Sequence, residues 1–458
     1  MQRTSSMIGK RLIIAGLLLA GSPVWAANYY VDQQNPAASD NNPGSESLPW
    51  RTLQRAAKAS LQPGDTVYVK AGTYDVRSGG AWNRPAIVPP RSGEPGKPIT
   101  FKSLPRHAAV LQASATNPAI GVAGQSHVVI DGFVVPNPGP KGMAVFDAKD
   151  VVIQNNVIYG AYVNSSDNTE AIRLERASNV LVRNNKLYNV HNSGNSSNAS
   201  AVKTYDTRDV TIEHNVMYDV TAGVKEKYRS TGLTVRYNHI YNCGYGLVVN
   251  TQVDGVTENV RYYQNVVECS SGFESDTQSS TVLREVYIYN NTFAGYTSKA
   301  VHGTAHGQSM YIYNNIFYRT APSISMADFF TRTPNTNEIK VLDYNLLYRE
   351  PKVVIGLYST NTTFTSLQSW QNSGFGLSAH DRLGDPKFVN AAARDYRLAA
   401  GSPAIGLGRV GGRSSGAVVN AGAYITGNET IGLLPDDDGA DEDVKLAPPS
   451  PPRLILAQ

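Results

Sequence analysis

Between residues 150 and 349 the chain alternates apolar and polar positions in short runs, breaks at an Asn, and resumes with a second, shorter apolar run. DVVIQNNVIYG from 150, NVLVRNNKLYN from 179 and DVTIEHNVMYD from 209 set this unit. GLTVRYNHIYN from 232, NVRYYQNVVEC from 259, EVYIYNNTFAG from 285, SMYIYNNIFYR from 309 and, more loosely, EIKVLDYNLLY from 338 repeat it. The aligned residues are Asn156, Asn185, Asn215, Asn238, Asn265, Asn291, Asn315 and Asn345, separated by 29, 30, 23, 27, 26, 24 and 30 positions. Those separations fit one solenoid coil per repeat. The period of two, carried by Val, Ile and Tyr, predicts strands and disfavours helical repeats. Strands this short bury an apolar face only by stacking coil on coil.

An Asn recurring in every coil has two structural uses. It tolerates the left-handed turn conformation, and stacked amides hydrogen-bond along the axis. On these repeats the chain resembles the single-stranded right-handed parallel β-helix superfamily, which includes pectate lyase-like proteins, over about residues 28 to 425. The resemblance implies an all-β fold, a right-handed parallel β-helix.

The ends of the array read differently. Residues 1–26 have the pattern of a secretory signal: Arg3, Lys10 and Arg11, the apolar run from Leu12 to Gly21, then Val24-Trp25-Ala26. The run is too short to span a bilayer and no later stretch approaches the length required. Residues 27–75 are expected to close the N-terminal end and form the first coil. A short amphipathic helix over roughly Trp50 to Leu61 would bury Trp50, Leu53, Ala56, Ala57 and Leu61 across the open cross-section. The strands near 98–103 and 127–135 lead into the array. The domain is expected to end at 434, with 383–434 a closing segment that resembles the terminal strand and turn of many β-helix proteins. Residues 435–458, acidic and then Pro-rich, read as a disordered tail.

Charged residues make up 17% of the chain, and the formal net charge is +4. Setting aside the three positive charges of residues 1–26 leaves +1, and the tail from Asp436 carries six acids against two bases, so the folded body is near +5. That balance suits an acidic polymer and is too small to indicate nucleic acid. Cys243 and Cys269 are the only cysteines and fall on adjacent coils, which leaves two readings open, a disulfide or two stacked thiols.

A packed interior puts any substrate on an outer sheet, against equivalent positions of neighbouring coils. Counting twelve residues back from the ladder gives Arg173, Lys203 and Glu226, and one coil further the segment from Gly246 to Asn250. Alternation refines this. Ile172, Leu174, Val202 and Val224 belong inside, which turns Arg173, Glu175, Lys203, Tyr205, Lys225 and Lys227 outward and Glu226 inward. Two polar insertions, from 160 and from 191, leave successive coils and should lie side by side near this cluster.

Such a cluster suits β-elimination on a uronic-acid polymer: cations acidify the C5 proton, a base removes it, and an acid protonates the leaving oxygen. A Lys among other cations has its pKa depressed and can act as base. The expected catalytic set is Lys203 as base, Arg173 with Lys225 or Arg229 on the carboxylate, and Tyr205 as assisting acid. Lys227, Glu175, His191, Asn250 and Tyr245 are the substrate-binding candidates. The pattern resembles the chondroitinase B-like lyases, which place a Lys base on one coil and an Arg on the next, often beside calcium. Here Lys203 holds the base-like place and the next coil offers Lys225, Lys227 and Arg229. The paired Glu residues expected before that Lys are replaced by HNSGNSSNAS. Asp167, Glu170 and Glu226 are the oxygen ligands available to a calcium ion, without a spacing motif that demands one.

The expectation is therefore a secreted, monomeric polysaccharide lyase on an acidic polysaccharide, without nucleic acid or a membrane span. A glycosidase needs two positioned carboxylates, for which Glu268, Glu274 and Asp276, in VECSSGFESD, form the only other acidic knot. A uronan epimerase shares the first chemical step, and a noncatalytic polysaccharide-binding matrix protein needs none of it. His302 and His306 form no convincing metal site.

Overall fold

The computed structural model describes residues 26–249, 255–275, 281–303, 309–319, 329–331, 339–349, 355–357 and 362–435. The signal-like stretch before Ala26, Asn250, Asp276, His306 and the acidic tail from Asp436 lie outside the described residues.

The repeats close into a parallel β-helix. Ser178–Arg183 pairs in parallel with Lys149–Gln154 on one side and Arg208–Glu213 on the other. After the ladder Asn, Lys186–Asn192 lies between Val157–Tyr159 and Val216–Glu226. On the third side Thr169–Glu175 lies between Lys141–Phe146 and Ala199–Tyr205. In the following coils the second and third strands join into single bent strands, Val216–Glu226, His239–Val249 and Val266–Ser275. Alternation sends Val151, Ile153, Val180, Val182, Val210 and Ile212 inward to one continuous core.

The Asn ladder is buried throughout. Each amide donates to the Oδ1 of the next ladder Asn at 3.0 to 3.1 Å. One expectation is corrected. The left-handed residue is the one before each ladder Asn: Asn155, Asn184, His214, Tyr237, Gln264, Asn290, Asn314 and Tyr344 have φ between 51° and 60°. The ladder Asn itself turns inward to satisfy backbone groups of the corner, and the turn falls to its neighbour. At the far end Asp381 replaces an Asn, its Oδ1 accepting from the Asn345 backbone N at 2.6 Å and from Nδ2 at 3.0 Å.

The N-terminal cap is shorter than the sequence predicts. Only Leu53–Ala56 is helical, with the Thr52 hydroxyl accepting from the Arg55 backbone N at 3.2 Å. The chain then leaves the helix through the tighter bonds Lys58 N to Arg55 O and Ala59 N to Ala56 O. Trp50, Leu53, Ala56 and Leu61 are still buried as a plug. Cys243 and Cys269 sit opposite each other in register and are bonded, with Cα atoms 4.6 Å apart.

At the other end the chain does more than close the last coils. It doubles back along the ladder corner, donating from Arg409 N to Asn314 Oδ1, from Gly432 N to Tyr237 O and from Leu434 N to Asn184 Oδ1. No helix among the described residues is long and apolar enough to cross a membrane.

Candidate active site

On the third sheet each coil carries a small residue, an apolar residue and then a functional one: Ala171-Ile172-Arg173, Ala201-Val202-Lys203 and Gly223-Val224-Lys225. Ala171 and Ile172 both lie in the core, as do Ala201 and Val202. Two successive inward residues shift the phase of the strand, so Glu170 comes out on the same side as Arg173. The small residue is a steric requirement. A Cβ on Gly223 would stand 2.6 Å from the Gly246 carbonyl oxygen and from Ile240 Cγ2.

Parallel register stacks Arg173 on Lys203 and Lys203 on Lys225. Glu170 is the hub. Its Oε1 accepts from Arg173 Nη1 at 3.0 Å and from the Tyr205 hydroxyl at 2.8 Å, and lies 3.5 Å from Lys203 Nζ. Arg173 also holds Glu175, with Nη2 to Oε2 at 2.6 Å, and its guanidinium lies 3.9 Å from the centre of the Tyr205 ring. Lys141, on the preceding coil, is in register with Glu170.

Burial and charge tune this group. Burial pushes the Lys203 ammonium down, Lys225, Lys227 and Arg173 push it further, Glu170 opposes them, and the result is a pKa of about 7 against an ordinary 10.5. Burial raises the Glu170 carboxyl, but Lys203, Arg173, Lys141 and the Tyr205 hydrogen bond outweigh it and hold the group below its ordinary value. Burial and then Glu170 drive the Tyr205 phenol well above its usual range. Burial also lowers Lys227 and Lys141.

The two polar insertions lie side by side as expected: Asn192 Nδ2 donates to Asp167 O at 2.6 Å and Asn198 Nδ2 to Ser166 O at 3.2 Å. They roof the cluster, so Lys203, expected to face outward, has a side chain with 0% exposure. Lys203 Nζ donates to Asn198 O at 2.7 Å and Asn168 Oδ1 at 3.2 Å, Lys225 Nζ to Ser197 O at 2.8 Å, and Lys227 Nζ to Asn168 Oδ1 at 2.9 Å. Ammonium groups on one face repel, and neutral loop oxygens that accept from them draw the insertions down.

Other candidates fall outside this cluster. Arg229 pairs with Asp206 at 2.8 Å on the surface. His191 turns to Asp219 at 3.2 Å, beyond the second sheet. Tyr245 is exposed further along the stack. Tyr205 is brought in, but its hydroxyl is committed to Glu170. Glu226 points into the coil as alternation predicts and is buried.

The calcium ligands are not assembled. Calcium takes a cage of six to eight oxygens. Glu170 is surrounded by Arg173, Lys203 and Lys141, Glu226 is inside the coil, and Asp167 is on the exposed loop. Among the described residues no group of three His, Cys, Asp or Glu is placed to hold a metal ion. This donor set does not fit calcium, and the charge a metal would bring is already present as lysine and arginine.

Sequence reasoning missed three features: Glu170 as the hub, Asn168 and Asn198 as oxygens of the roof, and the continuation of the column past the coil of Gly246 to Asn250. The last was visible. The triplet recurs as Gly246-Leu247-Val248, Gly272-Phe273-Glu274 and Ala300-Val301-His302, and the register runs Lys225, Val248, Glu274, His302.

These coils define a parallel β-helix with a polar site on an outer face. The family described as right handed beta helix region matches residues 118–293, and the solenoid is right-handed. Among solved structures it is similar in fold to pectate lyase Pel9A, at 17% identity over 87% of this chain and 96% of that one, with a TM-score of 0.52. Weaker likenesses are the PL6 family polysaccharide lyase Pedsa3628 from Pseudopedobacter saltans (12% identity, 77% and 96% covered, TM-score 0.46) and the GH136 lacto-N-biosidase from Eubacterium ramulus (12%, 78% and 68%, 0.46). No curated protein matches the sequence.

Proposed function

We propose that this protein is a secreted polysaccharide lyase that cleaves a uronic-acid-containing polymer by β-elimination. The observation that carries the reading is Lys203, a buried amine with a pKa of about 7, stacked between Arg173 and Lys225. At neutral pH about half of such a lysine is free base, while the Arg173 guanidinium beside it remains positive.

In the reaction the uronate carboxylate lies against Lys225, Lys227 and Arg173, which stabilise the charge that develops when C5 is deprotonated. Neutral Lys203 takes the C5 proton, the C4–C5 double bond forms, and the bond from C4 to the glycosidic oxygen breaks. Protonated Lys203 returns the proton to the leaving oxygen. Glu170, held by Tyr205 and Arg173, keeps the base from losing its proton affinity altogether, since its charge opposes the surrounding cations. The roof has to lift first. Substrate oxygens then take the place of Ser197 O, Asn198 O and Asn168 Oδ1 on the lysines. Export is supported by the signal-like opening of the sequence and by the bonded cysteines, which suit an oxidising compartment.

The test is a screen of alginate, pectate, glycosaminoglycans and bacterial matrix polysaccharide for unsaturated uronate ends. Saturated products from a cleaved polymer would replace elimination with hydrolysis.

A further inference from the structure

The column of functional side chains does not stop at the cations. One coil beyond Lys225 is Val248, then Glu274, then His302, all in register on the same outer face. Strands about 4.8 Å apart put Glu274 three steps, roughly 14 Å, from Lys203. Its Oε1 lies 3.0 Å from His302 Nδ1, with both side chains partly exposed. Tyr245, two residues before Leu247 on the coil of Val248, has 38% exposure and is the one large ring of this stretch open to solvent among the described residues. It lies near enough to Glu274 to feel its charge, as does Lys299.

The two ends of the column ask for different sugars. Arg173, Lys203, Lys225 and Lys227 complement a carboxylate. At Val248 the column itself carries no charge to meet one, and at Glu274 a second carboxylate meets a like charge. A carboxylate does accept well from sugar hydroxyl or amide N–H groups, and a Tyr ring packs against the apolar face of a sugar. We infer that Tyr245, Glu274 and His302 form a subsite for an uncharged sugar, so that the substrate is a heteropolysaccharide in which uronate units are separated by neutral or N-acetylated sugars. This rests on the lyase reading and narrows its substrate class.

The experiment compares two sets of polymers as substrates for the full chain. One set is unbranched homopolyuronate: polygalacturonate and polymannuronate. The other alternates uronate with N-acetylhexosamine: hyaluronan, unsulfated chondroitin and heparosan. The inference expects unsaturated product from an alternating polymer with kcat/KM at least tenfold above either homopolymer. It also expects Tyr245→Ala and Glu274→Lys to raise KM for that polymer about tenfold or more with the acidic limb of the pH profile unmoved. A homopolyuronate cleaved equally well or better, or variants with unchanged KM, overturns the inference and leaves the lyase reading standing. Cleavage of any of these polymers to saturated products overturns the lyase reading. Binding is measured separately with N-acetylglucosamine oligomers: binding that Tyr245→Ala abolishes supports the subsite even without turnover, and no binding by the wild type counts against it.

Discussion

Replacing Lys203 with Met keeps most of the buried aliphatic stem and removes the amine. An ordinary lysine at 10.5 has about one neutral amine in 3,000 at pH 7, a gap of 10.5 − 7 = 3.5 log units, whereas Lys203 at about 7 is about half neutral. The site therefore raises the supply of base by roughly 10³, within the range of about 10² to 10⁴ that a general base contributes. Lys203→Met should lower kcat by about 10³. The assay is the initial rate of unsaturated product across pH, on the best polymer found. Wild type should show an acidic limb near 7, rising with pH as the amine loses its proton. Two companion variants move that limb in opposite directions. Lys225→Met removes a cation that depresses Lys203, so the limb moves up. Glu170→Gln removes the carboxylate that raises it, so the limb moves down. Lys203→Met within threefold of wild type at matched stability, or a limb that stays in place in both companions, would refute the reasoning.

Other consequences follow from the same structure. Asn238→Ala strands the backbone N and the amide of Asn215, both of which donate to Asn238 Oδ1 at 3.0 Å, and should cost about 2–6 kcal/mol in urea unfolding at roughly 1–3 kcal/mol for each unsatisfied donor. Burial pushes Asp381 up to about 7 from 3.8, so the stability tied to its protonated form is full below about pH 4 and is lost as pH rises through 7. Asp381→Asn should flatten that fall in thermal melts, and an unchanged pH profile would place the loss elsewhere. Gly194 packs against the neighbouring insertion so closely that a Cβ would lie 2.4 Å from Ser165 N. Gly194→Val should part the two insertions and speed the reaction of Lys203 with an amine reagent, read by peptide mass mapping; equal labelling in both proteins would mean that the roof does not depend on this contact.

The solenoid was legible because its signal is repeated. Eight coils each present alternating apolar strands and one Asn, and a stacked fold leaves few other uses for that pattern. The column Arg173, Lys203, Lys225 was legible for the same reason, since alternation and the ladder count agree to within one residue and the buried Val224 settles which side Lys225 takes. The roof was not legible. Nothing in the composition of SSDN or NSSN says that Asn168 and Asn198 will accept from lysines, because the insertions lack the period that fixes strands and are placed by contacts with residues distant in sequence. Glu170 was misread as a metal ligand because an acidic residue near polar loops looks the same in sequence whether cations or a metal surround it. The left-handed residue was misplaced by one position for a related reason: several coils have consecutive Asn residues at the corner, and only the hydrogen bonds separate the turn former from the ladder member. Glu274 was set apart because the longer stretch after Ser275 puts it 17 residues before Asn291, whereas His302, 13 before Asn315 as Lys225 is before Asn238, fits the count and was weighed only as a metal ligand.

The central claim is that Lys203 drives an elimination, and product structure tests it most directly. The cleaved polymer is digested with wild type and with Lys203→Met, and the new non-reducing ends are read by mass spectrometry and ultraviolet absorbance. The account predicts C4–C5 unsaturated uronate ends from wild type, lighter by one water than hydrolytic ends, with formation slowed about 10³-fold in the variant. Saturated ends from wild type, or unsaturated ends formed at the same rate by both proteins, would contradict it.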